Sequence, residues 1–289
     1  MKSPTSQRFL LGFVSLVAMV LAYTVVSNAG VFRRDLVPTT QEIAVAFTEL
    51  VVGARPPPAS ELHAHHGHYM HSSDHVETLL QQGVTLQASV AITAARVLFG
   101  LAVGIPIGIL IGVLMGWSRR ADDYFHPIYA LLRSIPPLAI ITYLMLWLGH
   151  TEAHRLIPIV YAVAATMVIP AYHGVRDVVG TYIVAARSLG ARGWVLVKSV
   201  MFPAASPSVL GGLRYAVAIA WMTAVGAEML MSENGMGNLI VGGGLWSSRM
   251  QTRSDPAVVI VGIVTLAAAG WAMDAGARVL TARLTRWAK

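Results

Sequence analysis

The chain has 289 residues, of which 55% are hydrophobic and 12% charged, and it contains no cysteine. An average soluble domain carries about a quarter charged residues, so this chain has too little polar side chain to cover a water-exposed surface. The hydrophobicity also excludes a disordered chain, and the lack of cysteine excludes disulfides and thiolate metal sites. The net charge is +7, and the basic residues lie mainly between apolar runs. We therefore expect them in cytoplasmic loops that face anionic lipid, and not on a surface that binds nucleic acid.

Six apolar runs are long enough to be membrane-spanning helices, which need about 20 mostly apolar residues. In chain order they are Phe9–Val26, Val97–Trp117, His126–Gly149, Leu156–Tyr172, Val209–Ser232 and Pro256–Met273. The sequence therefore predicts an all-α polytopic membrane protein with six transmembrane helices. The first run is also compatible with a cleaved signal peptide, but its 18 residues exceed the usual core of about 7–15, so we expect it to be retained.

The distribution of lysine and arginine predicts the orientation of these helices. With both termini in the cytoplasm, 12 basic residues lie in inside segments and 6 in outside segments, which follows the positive-inside bias. We therefore expect a multi-pass protein of the cytoplasmic (inner) membrane. Its predicted parts are an N-terminal transmembrane helix (1–27), an external Pro/His-rich insert (28–83) and a core (84–286) with a cytoplasmic loop at 174–206.

The second apolar run carries a glycine at every fourth position: Gly100, Gly104, Gly108, Gly112 and Gly116. Residues four apart share one face of a helix, so these glycines form a flat groove that another helix can approach closely. The groove is compatible with static tight packing, which we favour, and with a surface on which helices slide.

The predicted cytoplasmic loop carries a spaced pattern. It begins with Val184-Ala185-Ala186, and Gly190 follows after three residues. Nine residues separate Gly190 from Val200, and one residue separates Val200 from Phe202-Pro203. This resembles the signature loop of permease subunits of ATP-binding-cassette (ABC) importers: Glu-Ala-Ala, three residues, Gly, nine residues, Ile, one residue, Leu-Pro. Val184, Val200 and Phe202 stand where that family has Glu, Ile and Leu.

The same loop has the properties of a docking element. Glycine can take the left-handed conformation that ends one helix before another begins. Ala185, Ala186 and Leu189 are expected to form a short apolar face before it, and Trp194, Val195 and Val197 supply apolar anchors after it. A short helix with an aromatic anchor suits a partner's cleft, although an amphipathic helix on the lipid surface is the alternative. The predicted docking residues are Ala185, Ala186, Leu189, Gly190, Arg192, Trp194 and Pro203.

The resemblance extends over about residues 84–286 and points to the nitrate/sulfonate/taurine branch of these importers. It is carried by Arg133, Pro136, Leu138, Ala139, Trp147, Gly149, Gly212, Arg214, Trp221, Ala227, Glu228, Gly235 and Gly237. Thr142-Tyr143 stands where the branch has Pro-Leu, and the histidine-rich insert departs from its pattern. The resemblance implies a type I importer fold, a second permease chain that we expect to be identical, ABC ATPase subunits with ATP and Mg, and an external solute-binding protein.

Nucleotide hydrolysis is predicted to occur on a separate chain. A P-loop requires lysine directly after glycine. The three lysines of this chain follow Met1, Val197 and Ala288. We therefore expect a non-catalytic membrane subunit without a cofactor of its own.

Polar side chains within membrane-spanning helices are candidates for the solute pathway. The candidate set is Arg96, Thr142, Tyr143, Trp147, Thr166, Trp221, Thr223 and Glu228. Arg96 could attract an anion or anchor its helix, and Glu228 could be a gate or packing partner or simply reach interfacial water. Arg214 is expected to snorkel to the membrane surface, and Asp274 to pair with Arg278, four residues on.

Six histidines cluster in the external insert, at His63, His65, His66, His68, His71 and His75. Imidazole suits Zn and neighbouring transition metals, so metal capture is one interpretation. A pH switch and a polar tether without further function are the others.

The predicted function is the permease subunit of an ATP-driven importer that moves a small anion, such as a sulfonate, taurine or nitrate, by alternating access. A first alternative is import of a metal ion or metal chelate through the histidine-rich segment. An ion-coupled secondary transporter is disfavoured because no inverted repeat is detectable. A membrane hydrolase is disfavoured because the His-Glu-x-x-His and Gly-x-Ser-x-Gly patterns are absent.

Overall fold

A computed structural model describes residues 4–28, 37–52, 85–178, 180–230, 234–241 and 256–285. The regular structure within these ranges is entirely helical. In chain order the helices are α1 (Pro4–Asn28), α2 (Thr40–Val52), α3 (Leu86–Trp117), α4 (Arg119–Arg133), α5 (Pro137–Leu148), α6 (Glu152–Arg176), α7 (Gly180–Ser188), α8 (Trp194–Leu196), α9 (Phe202–Met229), α10 (Met236–Val241) and α11 (Pro256–Leu284). A π-helical turn, Val197–Met201, joins α8 to α9.

Four of these helices are long and apolar enough to cross a membrane: α3, α6, α9 with the turn before it, and α11. The bent pair of α4 and α5 can supply a fifth span, and Val17–Asn28 within α1 is a shorter apolar helix. The prediction of an all-α polytopic membrane protein is confirmed. The count of six spans is consistent with these helices and stays a prediction.

The expected single helix over His126–Gly149 is wrong, because the chain breaks between α4 and α5 with a bend of 84°. Ser134 and Ile135 close the last turn of α4 with hydrogen bonds to the carbonyls of Leu131 and Leu132. Pro136 and Pro137 follow, and neither has a backbone N–H to continue the ladder. Proline at the first position of α5 suits a new helix start.

The chain divides into two compact units, of which the first contains residues 1–87 and 239–264. In this unit α2 begins with a reciprocal cap: the Thr39 N–H donates to Glu42 Oε2 at 2.8 Å, and the Glu42 N–H donates to Thr39 Oγ1 at 3.3 Å. The side chain of Gln87 donates to the carbonyl of Val51 at 2.6 Å. The bond from Gln87 ties the end of α2 to the start of α3.

The second unit contains residues 88–238 and 265–289, and the glycine face of α3 packs against α6 within it. A Cβ added to Gly108 would lie 2.4 Å from the Ala164 carbonyl oxygen, and one added to Gly112 would lie 2.4 Å from the Val168 carbonyl oxygen. Gly100, Gly104 and Gly116 meet the same helix. The predicted close approach of a second helix is therefore confirmed along the whole glycine face.

Helix α9 packs along α6 and completes the core of the second unit. Gly212 lies against the ring of Pro170, where a Cβ would come within 2.5 Å of its Cγ. The indole N–H of Trp221 donates to the sulfur of Met273 on α11 at 3.1 Å. The buried cluster between these helices includes Val97, Leu101, Ile159, Val163, Met167, Ala216, Val217, Ala220, Ala224 and Ala277.

Candidate functional site

The loop that carries the importer-like pattern folds as α7, a turn and α8, and we call residues 180–203 the elbow. Gly190 has φ of +84° at the end of α7. The Gly190 N–H donates to the Arg187 carbonyl at 3.0 Å, and the Ala191 N–H donates to the Ala186 carbonyl at 2.9 Å. This pair of bonds is a Schellman motif, which satisfies the last carbonyls of a helix and turns the chain. The predicted helix–glycine–helix geometry is confirmed.

The elbow presents apolar side chains to its surroundings. Leu189 is 89% exposed, and Val184 and Val195 are also largely exposed. Exposed large apolar residues on a short connecting segment are typical of a surface that another protein covers. Ala186 and Leu196 are buried, so the elbow also has a side that packs against the rest of the chain.

The predicted docking residues therefore divide by position. Ala185, Leu189 and Arg192 are exposed, whereas Ala186 is buried, so the expected common face of Ala185, Ala186 and Leu189 is wrong for Ala186. Positions 185 and 189 lie one helical turn apart, and Ala186 beside them is the position at which α7 packs against the rest of the chain. Pro203 is half-buried at the start of α9, and the side chain of Trp194 lies outside the described part of the chain.

The base of the elbow is fixed to the helices on either side of it. Val175 on α6, Met201 on the π-helical turn and Ala205 on α9 form one buried cluster. A Cβ on Gly174 would lie 2.9 Å from the Ala205 carbonyl oxygen, so the two helix ends touch through their backbones. The end of the elbow at residues 201–203 is therefore in direct contact with α6 and continuous with α9.

A polar contact holds the same end of α6 against α4. The hydroxyl of Tyr172 donates to Asp122 Oδ2 at 2.9 Å, and the guanidinium of Arg176 contacts the same carboxylate oxygen. The Arg176 guanidinium also lies 5.3 Å from the ring centre of Tyr172. These contacts couple the helix that leads into the elbow to α4.

A second polar cluster links α3, α6 and α9 through ion pairs. Arg96 Nη1 lies 2.7 Å from Glu228 Oε1 on α9, and Arg96 Nη2 lies 2.8 Å from Glu152 Oε1 on α6. Arg155 Nη1 lies 2.7 Å from the same Glu152 oxygen. Arg96 and Glu228 are buried, and two arginines balance two carboxylates, so the cluster avoids the cost of an unpaired buried charge.

The segment after α9, residues 234–238, lies over Glu228 and includes the first turn of α10, and we call it the cap loop. The Gly237 N–H donates to Glu228 Oε2 at 3.1 Å, and Asn234 Oδ1 accepts from Arg96 Nη2 at 2.6 Å. Gly235 has φ of +102°, and a Cβ there would lie 2.4 Å from the Glu228 carboxyl carbon. Only glycine fits this close approach of backbone to carboxylate.

Threonine 93 completes the hydrogen bonding of the buried carboxylate. Its hydroxyl lies 2.8 Å from Glu228 Oε2 and accepts the backbone N–H of Met236 at 2.9 Å. Glu228 therefore does not reach interfacial water, and that interpretation is wrong. Three partners hold the Arg96 guanidinium, which fits the anchoring alternative, and attraction of an anion by Arg96 stays a prediction.

The sequence singled out Arg96 and Glu228 but not their partners Glu152, Arg155, Thr93 and Asn234. The contacts join positions as far apart as 138 residues, so no local spacing marks them. The sequence does contain one signal for this cluster. Two arginines and two glutamates lie near predicted helix ends, and such charges need partners in an apolar environment.

The other pathway candidates fall into two groups that the structure does not bring together. Thr142, Tyr143 and Trp147 are exposed on α5, with the two aromatic ring centres 6.0 Å apart. Trp221 and Thr223 are buried on α9. The Thr166 hydroxyl donates to the Ala162 carbonyl within α6 at 2.8 Å. Their role in a solute pathway stays a prediction.

Three further charged residues of the spans, Arg214, Asp274 and Arg278, pair with each other. Asp274 lies 3.4 Å from Arg278 Nε, as predicted, and 3.1 Å from Arg214 Nε on α9. Arg214 therefore has an acceptor on the neighbouring helix, and the expectation that it snorkels to the membrane surface stays a prediction.

The six insert histidines lie outside the described residues. Within the described ranges, no group of three histidine, aspartate or glutamate side chains could hold a metal ion. The metal interpretation of the histidine-rich segment therefore stays a prediction.

Residues 104–286 match the family model described as "Binding-protein-dependent transport system inner membrane component". The taurine transport system permease protein TauC of Escherichia coli (strain K12) is 32% identical over 203 residues, which is 70% of this chain and 71% of that protein. The putative aliphatic sulfonates transport permease protein SsuC of Bacillus subtilis (strain 168) is 27% identical over 288 residues, covering 99% of this chain and 91% of that protein.

The fold also resembles a solved structure, an inward-facing conformation of the MetNI methionine ABC transporter. The match has a TM-score of 0.53 at 17% sequence identity and covers 69% of this chain and 94% of that one. At this identity the likeness concerns the fold.

Proposed function

The chain belongs to the family of binding-protein-dependent transport system inner membrane components, and on that premise we propose that it imports a small sulfonate by alternating access. Members of this family are non-catalytic membrane subunits of ABC transporters, whose ATPase is a separate chain. The elbow is the observation that carries the proposal for this chain. It combines a fixed Schellman turn with an exposed Leu189, and it is packed directly onto two spanning helices.

The elbow is proposed to dock into a cleft of the ATPase, which binds ATP and Mg. Leu189 and Ala185 supply apolar contact, and Arg192 supplies charge at the edge of the contact. Closure of two ATPase chains would push on the elbow. Because Gly174 touches the backbone at Ala205, this push would tilt α6 and α9 as one body.

The proposed partners rest on the family to which the chain belongs. An external solute-binding protein delivers the solute, and a second copy of this chain completes the pathway, to which one chain brings four or five candidate spans among its described residues. We place the protein in the cytoplasmic (inner) membrane with both termini inside, as the lysine and arginine bias indicates.

The proposed substrate class rests on the relatives and on charge. The relatives named for taurine and for aliphatic sulfonates match this chain over 203 and 288 residues. A sulfonate is a compact anion, and a chain with a net charge of +7 suits its uptake better than that of a cation.

The test is ATP-dependent uptake by the complete complex in vesicles, with radiolabelled taurine, nitrate and zinc offered separately. Taurine uptake supports the proposal. Zinc uptake that requires the histidine-rich segment would favour the metal alternative, and uptake driven by an ion gradient without ATPase would favour the secondary transporter.

A variant pair isolates the elbow in the same assay. Leu189→Asp is expected to abolish stimulation of the ATPase by the solute-binding protein, because a charge replaces the exposed apolar contact. Leu189→Met keeps the apolar contact and is the matched control. Gly190→Trp is expected to uncouple ATP turnover from transport while the chain still inserts. Normal transport by both Leu189→Asp and Gly190→Trp would contradict docking at this site.

A further inference from the structure

Three charged side chains meet where α9 and α11 pack together, and we call Arg214, Asp274 and Arg278 the charged triad. Arg214 Nε lies 3.1 Å from Asp274 Oδ1, and Arg278 Nε lies 3.4 Å from Asp274 Oδ2. The second Arg214 contact, from Nη2 to Oδ2, is 3.5 Å long. Two positive charges share one negative charge, so the triad carries a net charge of +1.

The triad lies within the length of both helices. Arg214 is 12 residues from the start of α9 and 15 from its end, which is about 18 Å and 22 Å at the helical rise. Asp274 is 18 residues from the start of α11 and 10 from its end, about 27 Å and 15 Å. Charges in such positions almost always face water, protein or another charge and not lipid.

The triad is nevertheless accessible on this chain. The side chains of Arg214 and Arg278 are 50% and 45% exposed, and that of Asp274 is 30% exposed. The α9 and α11 seam therefore covers the carboxylate more than the arginines. Each guanidinium keeps Nη groups that can donate further hydrogen bonds to an anion.

The exposed face of α9 differs from a lipid-facing surface. Along about four turns around the triad its exposed positions include the small residues Ala204, Ser208, Gly211 and Ala218. The larger exposed side chains on this face are Tyr215, which carries a hydroxyl, and Met222 one turn further on. The exposed face of α3 instead carries large apolar side chains: Leu98, Phe99, Val103, Ile107, Leu110 and Leu114. Lipid contact favours the second composition, so the α9 face suits water or a second protein surface.

We propose that the charged triad lines the water-filled solute pathway and is a transient binding site for the transported anion. This inference rests on the proposed function, because it assigns a position in the pathway to the sulfonate. The two guanidiniums donate hydrogen bonds to sulfonate oxygens. Asp274 limits the net charge to +1, which keeps binding weak enough for release, as a conduction site requires.

The natural absence of cysteine allows a direct test of water and charge at this face. Ala218→Cys places one thiol a single turn from Arg214. In the complete complex in vesicles, the thiol is reacted with 2-sulfonatoethyl methanethiosulfonate, which carries a sulfonate, and with its cationic trimethylammonium counterpart. The thiolate attacks the reagent's sulfenyl sulfur, a disulfide forms, and methanesulfinate leaves with the electron pair of the broken S–S bond.

The proposal predicts that Ala218→Cys reacts with both reagents, and with the sulfonate reagent about tenfold faster relative to a small thiol in solution. Neutralising both arginines, Arg214→Gln with Arg278→Gln, changes the triad from +1 to −1 and should reverse the preference. Leu110→Cys on the apolar face of α3 is the control and should stay unreactive. An unreactive Ala218→Cys, or a preference that survives the double substitution, overturns the proposal.

Two further arms identify the source of the anion. If a lipid headgroup occupies the triad, vesicles with anionic phosphatidylglycerol should slow the sulfonate reagent several-fold compared with phosphatidylcholine alone, and that result overturns the proposal. Taurine should slow labelling of the Ala218→Cys thiol in vesicles of either lipid. In the variant with Arg214→Gln and Arg278→Gln, uptake should need a higher concentration of taurine for half-saturation. A wild-type complex that imports no taurine contradicts the proposed substrate, whereas the labelling preference still decides whether the triad is a water-exposed anion site.

Discussion

The buried ion pair between Arg96 and Glu228 allows a sharp test of how the cap loop is held. Glu228→Gln keeps the shape of the side chain but removes its charge and one of its two acceptor oxygens. The amide nitrogen that replaces this oxygen would face the Gly237 N–H or the Arg96 guanidinium, both of which donate to Glu228. One buried donor therefore loses its acceptor, and Arg96 loses half of its charge compensation.

The magnitude follows from the burial of the pair. Removal of one partner of a buried salt bridge costs about 3–5 kcal/mol. Arg96 keeps Glu152 as a partner, so we expect the lower end, about 3 kcal/mol. For a chain of this size each kcal/mol corresponds to about 2–4 °C, so the Tm should fall by about 6–12 °C.

Thermal unfolding of the purified chain in detergent, followed by tryptophan fluorescence, measures this shift. Asp177→Asn is the matched control, because Asp177 is 73% exposed and its partner His173 is 3.8 Å away. Its effect should stay within about 0.5 kcal/mol. The double variant of Arg96→Gln and Glu228→Gln should lose less stability than the sum of the single variants. A Tm for Glu228→Gln within 2 °C of wild type (roughly the effect of 1 kcal/mol) would contradict a stabilising role of the buried ion pair.

Further predictions concern the glycines and the base of the elbow. Gly108→Ala should lower the Tm markedly because its Cβ would meet the Ala164 carbonyl oxygen, whereas Gly276→Ala, with open space around it, should be neutral or stabilising by about 1 kcal/mol in the same unfolding assay. Gly190→Ala should cost about 1–2 kcal/mol at its positive φ and reduce ATPase stimulation, and stimulation equal to wild type would contradict a required turn. Asp122→Asn should lower transport per ATP hydrolysed while the Tm stays close to that of wild type, because Asp122 holds the helix that leads into the elbow. A fall in transport that is accompanied by a marked fall in Tm would indicate a purely structural contact.

The parts of the fold that follow from local chemistry were predictable from the sequence. Gly190 could be assigned to a helix end because glycine alone takes positive φ without strain, and the five glycines of α3 because their spacing equals one helical turn. The break before α5 was equally available, since Pro136 and Pro137 cannot continue a helix, but the apolar run around them concealed it.

The polar clusters could not be placed from the sequence in the same way. Arg96 and Glu228 lie 132 residues apart, and their pairing depends on how α3 and α9 pack. The separation of Ala186 from Ala185 and Leu189 likewise depends on where α7 lies on the rest of the chain. Long-range packing decides such contacts, and a single sequence records only that the charges exist.

The proposed coupling to ATP hydrolysis depends most on the elbow as the docking point for the ATPase, and one cross-linking measurement tests this directly. A photoreactive amino acid at position 189 of the otherwise unchanged chain is activated in membranes that contain the complete transporter, and products are identified by mass spectrometry. Docking of the elbow into the ATPase predicts one dominant product, with a polypeptide that carries a P-loop, and none from the same probe at position 110 of α3. Strong cross-linking of position 189 to lipid, with no ATPase product, would contradict it.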